Sequence, residues 1–161
     1  MGWPDKFVPQ EQIPSLIQRL RQAKRRIVFT NGCFDLLHVG HIRLLYQAKQ
    51  YGDILLVALN TDESVRRNKG TARPIVPEGE RAELLASLEM VDYITLFNAP
   101  TPKELIDLVI PDVLVKGGDW GENEVVGRDT VEAHGGQVIR IPPWPGHSTS
   151  QLIQLIQQKL S

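Results

Sequence analysis

Ile27-Val28-Phe29-Thr30-Asn31-Gly32-Cys33-Phe34-Asp35-Leu36-Leu37-His38-Val39-Gly40-His41 is the stretch whose reading decides the fold. It opens on a short apolar, partly β-branched run, the composition of a buried strand. Asn31-Gly32 is a turn signal. From about Gly40 to Gln50 a helix is predicted, with Ile42, Leu45 and Tyr46 on one face. A strand, a glycine turn and a helix in that order begin an α/β unit.

The same alternation runs outward in both directions. Ile13, Leu16, Ile17, Leu20 and Ala23 fall at helical spacing, with Pro14 suited to a first turn, and residues 1–12 read as irregular. Downstream, strands are predicted at 54–59, 93–96, 113–115 and 137–141. Helices are predicted at about 80–88, after Thr101-Pro102-Lys103-Glu104, at about 129–134 and at 148–160. Thr61 is placed to cap a short helix, and residues 66–79 read as a loop. Five short strands with few polar positions suit a parallel sheet covered on both faces. The fold expected is one doubly wound, Rossmann-like α/β domain over residues 27–161, preceded by an N-terminal extension and helix over 1–26. Ligands of such sheets bind beyond the carboxyl ends of the strands, so the residues just after each strand carry the functional question.

Bulk properties narrow the class. The chain has 161 residues, 42% hydrophobic and 23% charged, with a formal net charge of −1. That balance is ordinary for a globular protein and gives no basic field to attract nucleic acid. Cys33 is the single cysteine, so no intrachain disulfide can form, and it reads as a small packed residue. The first ten residues lack the apolar core of a signal peptide, and no run approaches the ~18 apolar residues that span a bilayer. A cytoplasmic protein that engages neither membrane nor nucleic acid is expected.

His38 and His41 are three apart at a helix start, so both side chains can face one way. Gly40 admits a ligand close to the backbone. The free N–H groups and positive pole of the helix favour phosphate, to which two imidazoles could donate. A metal pair is the rival reading, but His134 and His147 are the only other histidines, and a zinc site is poorly supplied. Ser148, with Gln151 three residues later, suits a helix cap and equally a phosphate site. Gly117-Gly118 serves as a turn or as a floor for a base, and Trp120 as a base cover or a core cover. Arg66, Arg67, Lys69, Arg73 and Arg81 form a charge run in or beside the predicted loop, read either as a solvated face or as phosphate ligands.

The run Gly32-Cys33-Phe34-Asp35-Leu36-Leu37-His38-Val39-Gly40-His41 resembles the HxGH signature of the cytidylyltransferase-like nucleotidyltransferases. Asn60-Thr61-Asp62-Glu63, Glu78-Gly79-Glu80-Arg81, Lys116-Gly117-Gly118-Asp119-Trp120 and Ser148-Thr149-Ser150 resemble that family's later motifs in the same order. Within it, residues 25–160 are most similar to the adenylyltransferase domain of the ADP-heptose synthases. A stand-alone form of that domain is expected.

The resemblance implies AMP transfer from ATP to a sugar 1-phosphate, D-glycero-β-D-manno-heptose 1-phosphate, with release of pyrophosphate. It implies Mg²⁺ with the nucleotide, and a homodimer. It assigns catalysis to His38, His41, Lys69 and Arg81. Nucleotide contacts fall to Thr30, Asn31, Gly32, Cys33, Phe34, Gly40, Lys116, Gly117, Gly118, Asp119, Trp120, Ser148, Thr149 and Ser150, with no protein ligand for a metal. Glycerol-3-phosphate cytidylyltransferases carry an arginine shortly before their Ser-Thr-Thr segment. Here residues 142–147 hold none, which counts against that substrate. A cytidylyltransferase with another phosphorylated substrate and a non-catalytic nucleotide-binding module are the alternatives.

Overall fold

The computed structural model describes residues 2–118, 121 and 124–161. Five strands, β1 (Ile27–Gly32), β2 (Ile54–Asn60), β3 (Tyr93–Phe97), β4 (Val113–Gly117) and β5 (Gln137–Ile141), form one parallel sheet in the order β3-β2-β1-β4-β5. Ile27 sits opposite Ile54, Val28 opposite Val113, Leu56 opposite Tyr93 and Val113 opposite Gln137. Chain order reverses between β1 and β4, so that pair is the switch point where a doubly wound sheet opens a crevice.

The apolar strands divide their residues between two cores by simple alternation. Phe29, Leu56, Ala58 and Leu114 face one layer, with Leu16 and Leu20 of α1 (Ile13–Gln22), Leu105, Ile106 and Val109 of α5 (Lys103–Val109), and Val131 of α6 (Arg128–Ala133). Val28, Leu55, Val57, Val113 and Val115 face the other, with Leu45 and Ala48 of α2 (Val39–Lys49) and Ala82, Leu85 and Ala86 of α4 (Glu78–Ala86). The doubly wound α/β expectation holds.

Several boundaries differ from expectation for visible reasons. β1 continues through the expected turn, because Asn31 and Gly32 still pair with Ala58 and Leu59. The loop expected from 66 starts late. Helix α3 (Asp62–Lys69) is capped by Thr61, whose Oγ1 accepts from the Ser64 N–H at 3.2 Å, and is braced by the Glu63–Arg67 pair at 2.8 Å. It stops at Gly70, where φ is 94°. The expected capping role of Thr101 is weak: Oγ1 reaches only the Lys103 N–H at 3.4 Å, and Pro102 precedes the helix. The final helix, α7, spans Thr149–Leu160 behind a Ser148 cap.

Residues 2–12 are not irregular. Two 3₁₀ turns, Trp3–Lys6 and Gln10–Gln12, flank a contact in which Phe7 pairs with Ile94 and the Val8 N–H donates to the Ile94 carbonyl at 2.8 Å. Lys6 Nζ donates to the Leu88 carbonyl at 2.9 Å and Gln10 Nε2 to the Leu96 carbonyl at 2.7 Å. The segment therefore covers the open edge of β3, a place where exposed strands otherwise recruit unwanted partners. Among the described residues, no helix is long and apolar enough to cross a membrane.

Candidate active site

The loop between β1 and α2 is held in a strained shape. Phe34 and Leu36 take left-handed φ values of 47° and 50° on either side of Asp35. Such a backbone costs roughly 1–3 kcal/mol per residue and persists only when its surroundings over-determine it. Asp35 supplies that constraint from an almost fully buried position. Its carboxylate accepts from the N–H groups of Ile75 and Val76, each at 2.9 Å, and from Arg73 Nε at 2.6 Å. Burial pushes the Asp35 carboxyl up, but the two backbone donors and the Arg73 guanidinium outweigh it and hold the group below the usual carboxylate range. The Asp35 carbonyl also accepts from Thr149 Oγ1 at 2.9 Å, which ties the start of α7 to the same loop.

Beyond this loop stand the two histidines. His38 caps α2: its Nδ1 accepts from the Gly40 N–H at 3.1 Å, and the His41 Nδ1 accepts from the His38 N–H at 3.3 Å. The rings stack, with centroids 3.8 Å apart and planes 28° from parallel. Burial lowers both pKa values. His41 falls to about 4, with the neighbouring His38 adding to desolvation, and His38 falls through burial and the charge of His147. At neutral pH both imidazoles are therefore uncharged. Because each Nδ1 accepts a backbone proton, each Nε2 must carry the ring N–H. Backbone capping thus leaves two Nε2–H donors side by side.

Those donors stand at a cavity of about 750 Å³ along the carboxyl ends of the strands. Asn31, Gly32, Cys33 and Phe34 line it at the end of β1, Asn60 at the end of β2, Phe97 at the end of β3, Lys116, Gly117 and Gly118 at the end of β4, and Ile141 at the end of β5. Gly40, His38, His41 and Lys69 line it too, as do Ser148, Thr149 and Ser150 at the head of α7. Two helix N-termini, α2 and α7, open on this space, and both favour anions. Lys116 bonds to Asn31 Oδ1, and burial lowers its amine to about 8, so the ammonium still predominates at neutral pH. Burial pushes the Cys33 thiol up against the opposing charges of Lys69, Arg81 and Arg73, which leaves it protonated and a poor nucleophile.

Two of the residues that the resemblance assigns to the site do not reach the cavity, nor do Arg66 and Arg67 of the charge run. Arg81 is buried behind it: Nε donates to the Val76 carbonyl at 2.8 Å, one terminal nitrogen to the carbonyls of Cys33 at 2.6 Å and Asn60 at 3.0 Å, and the other to Asp62 at 2.7 Å. With its donors spent on protein acceptors, it braces the loops after β1 and β2 rather than meeting a ligand. Thr30 is wholly enclosed within β1. Asp119 and Trp120 lie outside the described residues.

The cavity also holds residues that sequence reading passed over. Arg43, Leu44 and Gln47 recur three, four and seven residues after Gly40, so the helical period could have found them. Asn68, Thr101, Pro102, Trp144 and His147 carry no comparable local signal. Among the described residues, no group of three or more His, Cys, Asp or Glu side chains is arranged to hold a metal ion.

Residues 29–155 match the family model described as cytidylyltransferase-like. The chain belongs to this family. Among curated relatives, the bifunctional protein HldE of Syntrophotalea carbinolica is 48% identical over 156 residues, which is 97% of this chain and 32% of that protein. The bifunctional protein HldE of Koribacter versatilis is 52% identical over 149 residues, 92% of this chain and 31% of that protein. The chain thus spans about a third of the length of these relatives. Among solved structures, the lipopolysaccharide core biosynthesis protein of Thermoplasma volcanium superposes with a TM-score of 0.63 at 31% identity, covering 74% of this chain and 98% of that one. The pantoate-beta-alanine ligase of Francisella tularensis, solved with beta-gamma ATP and beta-alanine, shares the fold at a TM-score of 0.61 and 18% identity, covering 87% of this chain and 68% of that one.

Proposed function

We propose that this member of the cytidylyltransferase-like family is an adenylyltransferase. It moves AMP from ATP onto the phosphate of a sugar 1-phosphate, D-glycero-β-D-manno-heptose 1-phosphate. The observation that carries the reading is the stacked, neutral His38–His41 pair, each with Nδ1 committed to the backbone and Nε2–H free beside two helix N-termini. The likeness to HldE proteins and to a lipopolysaccharide core biosynthesis protein supports adenylyl transfer to a heptose phosphate.

A phosphate oxygen of the sugar phosphate attacks the α-phosphorus of ATP. The bond from that phosphorus to the bridging oxygen breaks, and pyrophosphate leaves with the electron pair. The attacking dianion needs no general base, so the protein's work is alignment and charge stabilisation. His38 and His41 donate Nε2–H to the α-phosphate as negative charge builds on it. Lys69 and the α7 start, Ser148 to Ser150, hold the leaving pyrophosphate, while Asn31, Gly32, Lys116, Gly117 and Gly118 line the path of substrate. Asp35, whose carboxylate oxygens already accept three bonds, is unsuited to ligate a metal. Mg²⁺ would enter on the triphosphate, neutralising its oxygens and held largely by substrate and water. The protein works as a homodimer in the cytoplasm.

The test is pyrophosphate release with ATP and CTP against a panel containing heptose 1-phosphate, other sugar 1-phosphates and glycerol 3-phosphate. The expected outcome is turnover with ATP and the heptose phosphate. Removing one oxyanion-hole donor costs about 10²–10³ in turnover, so His38→Ala and His41→Ala should each lose that much while keeping the wild-type circular dichroism spectrum. Near-normal turnover in either variant would remove the basis of the proposal.

A further inference from the structure

Alternation along the strands splits the cavity into two lobes. Val28, Leu55, Val57 and Val115 face the layer that holds α2. Phe29, Ala58 and Leu114 face the opposite layer, with α5 and α6. Two residues further along each of those strands, Asn31, Asn60 and Lys116 keep that second direction. Phe97, at the end of β3, packs with the same layer. Thr101, before α5, and Val126, before α6, line the cavity from the same side. The two histidines stand across the strand ends from this lobe, because α2 packs on the other face of the sheet.

The polar groups of the lobe are only partly used. Lys116 Nζ donates to Asn31 Oδ1, and among the described residues no carboxylate pairs with the ammonium. Burial is what lowers its amine to about 8, with no neighbouring charge to offset the lost solvation. Asn60 is only 5% exposed; its Nδ2 donates to Ser64 Oγ at 2.9 Å, while its Oδ1 accepts nothing among the described residues. Thr101 Oγ1 accepts only the long bond from the Lys103 N–H, at 3.4 Å.

A partly buried ammonium without an anion is costly, and the cost is offset when an anion arrives with the ligand. A phosphate monoester dianion is such a partner. The Phe97 ring beside unspent amide and hydroxyl groups suits the C–H and O–H surface of a sugar. In phosphoryl transfer the entering and leaving oxygens lie in line on opposite sides of the phosphorus. The acceptor therefore needs a seat of its own, apart from the helix starts that take the triphosphate. Given the nucleotidyl transfer proposed above, we propose that this lobe seats the acceptor: Lys116, steadied by Asn31, receives the phosphate of the sugar phosphate, and Asn60 and Thr101 take sugar hydroxyls. Lys116 thereby passes from the nucleotide, where the resemblance placed it, to the acceptor. The bonds formed and broken are those already described, and Lys116 keeps its protons throughout.

Calorimetric titration tests this with D-glycero-β-D-manno-heptose 1-phosphate and glucose 1-phosphate as probes. Each is added to protein saturated with Mg²⁺ and α,β-methylene-ATP, which cannot turn over. Lys116→Met keeps the length of the side chain and removes its charge. It should weaken the sugar phosphate at least about tenfold, the worth of a charge-assisted hydrogen bond, and α,β-methylene-ATP by less than about twofold. An apolar chain in place of a partly buried charge should fold, and melting temperatures check it. A measurement on the wild type does not depend on any variant folding. Followed by NMR of the lysine ammonium, the sugar phosphate should raise the Lys116 pKa from about 8 toward the ordinary ammonium range, and by more than α,β-methylene-ATP alone does. Equal weakening of nucleotide and sugar phosphate in Lys116→Met would return Lys116 to the nucleotide and overturn the proposal. Unchanged sugar phosphate affinity would overturn it too, as would a wild type that binds neither sugar phosphate. Binding of glucose 1-phosphate alone, lost in Lys116→Met, would uphold the seat and displace the heptose. Failure of the wild type to release pyrophosphate with every acceptor would count against the reaction proposed earlier, while the titrations would still judge Lys116.

Discussion

His41 shows how a single side chain's surroundings set its chemistry. An exposed imidazole would carry a partial charge at neutral pH. Burial and the stacked His38 lower the His41 pKa to about 4, and the His38 N–H occupies its Nδ1. Protonating His41 would place the ring's second proton on Nδ1, which already faces the His38 N–H donor, so acid breaks the cap of α2. The folded pKa lies below the unfolded value near 6.5, so the unfolded chain takes up a proton first as pH falls. The associated stability is complete above 6.5 and is lost progressively from there toward 4. Imidazole NMR titration of the ligand-free protein should therefore show His41 as the neutral Nε2–H tautomer down to about pH 5. A His41 resonance titrating near 6.5 would contradict the geometry on which its donor role depends. The motif itself was legible in the sequence, since spacing alone places both histidines at one helix start. Their charge state was not, because it follows from burial and from which backbone N–H each ring accepts.

Arg81 belongs to the scale of elements. It sits at the end of a basic run that the sequence leaves open as solvated face or phosphate ligands, and only the family resemblance assigns it to catalysis. The fold gives it a different task, because α4 begins at Glu78 and carries Arg81 beneath the loops rather than over them. There it joins Val76, Cys33, Asn60 and Asp62 through four bonds, connecting α4 to the ends of β1 and β2. A lysine could replace one or two of these bonds and would leave the other buried acceptors unpaired. Removing one partner of a buried charged network costs about 3–5 kcal/mol. At about 2–4 °C per kcal/mol for a domain of this size, Arg81→Lys should lower the melting temperature by roughly 6–20 °C. A variant with unchanged melting and reduced turnover would return Arg81 to the catalytic role. The strands were legible because their apolar runs are bounded by Gly, Pro and charge. The helix α3 was partly missed because its mean composition is polar, and only the Thr61 cap and the Glu63–Arg67 brace identify it.

For the molecule as a whole, the residues before β1 matter more than their composition suggests. Residues 1–26 read as an extension because the first dozen lack periodicity and hold two prolines. In the structure, α1 places Ile13, Leu16 and Leu20 in the same core as Phe29 and Leu114, and Val8 is buried beside them. No local pattern announces the contact of Phe7 and Val8 with Ile94, because the partners are more than eighty residues apart. β3 stands at the end of the sheet, and the N-terminal segment takes up the Ile94 carbonyl on its open side. Deleting residues 1–9 would therefore uncover an apolar edge strand while leaving the cavity's lining residues in place. Two effects are expected: a lower melting temperature, and light scattering that grows with protein concentration as exposed β3 edges pair between molecules. The remaining folded fraction should bind ATP with wild-type affinity, because none of the deleted residues lines the cavity. A truncated protein that melts as the full chain does and stays monodisperse would show that β3 needs no cover.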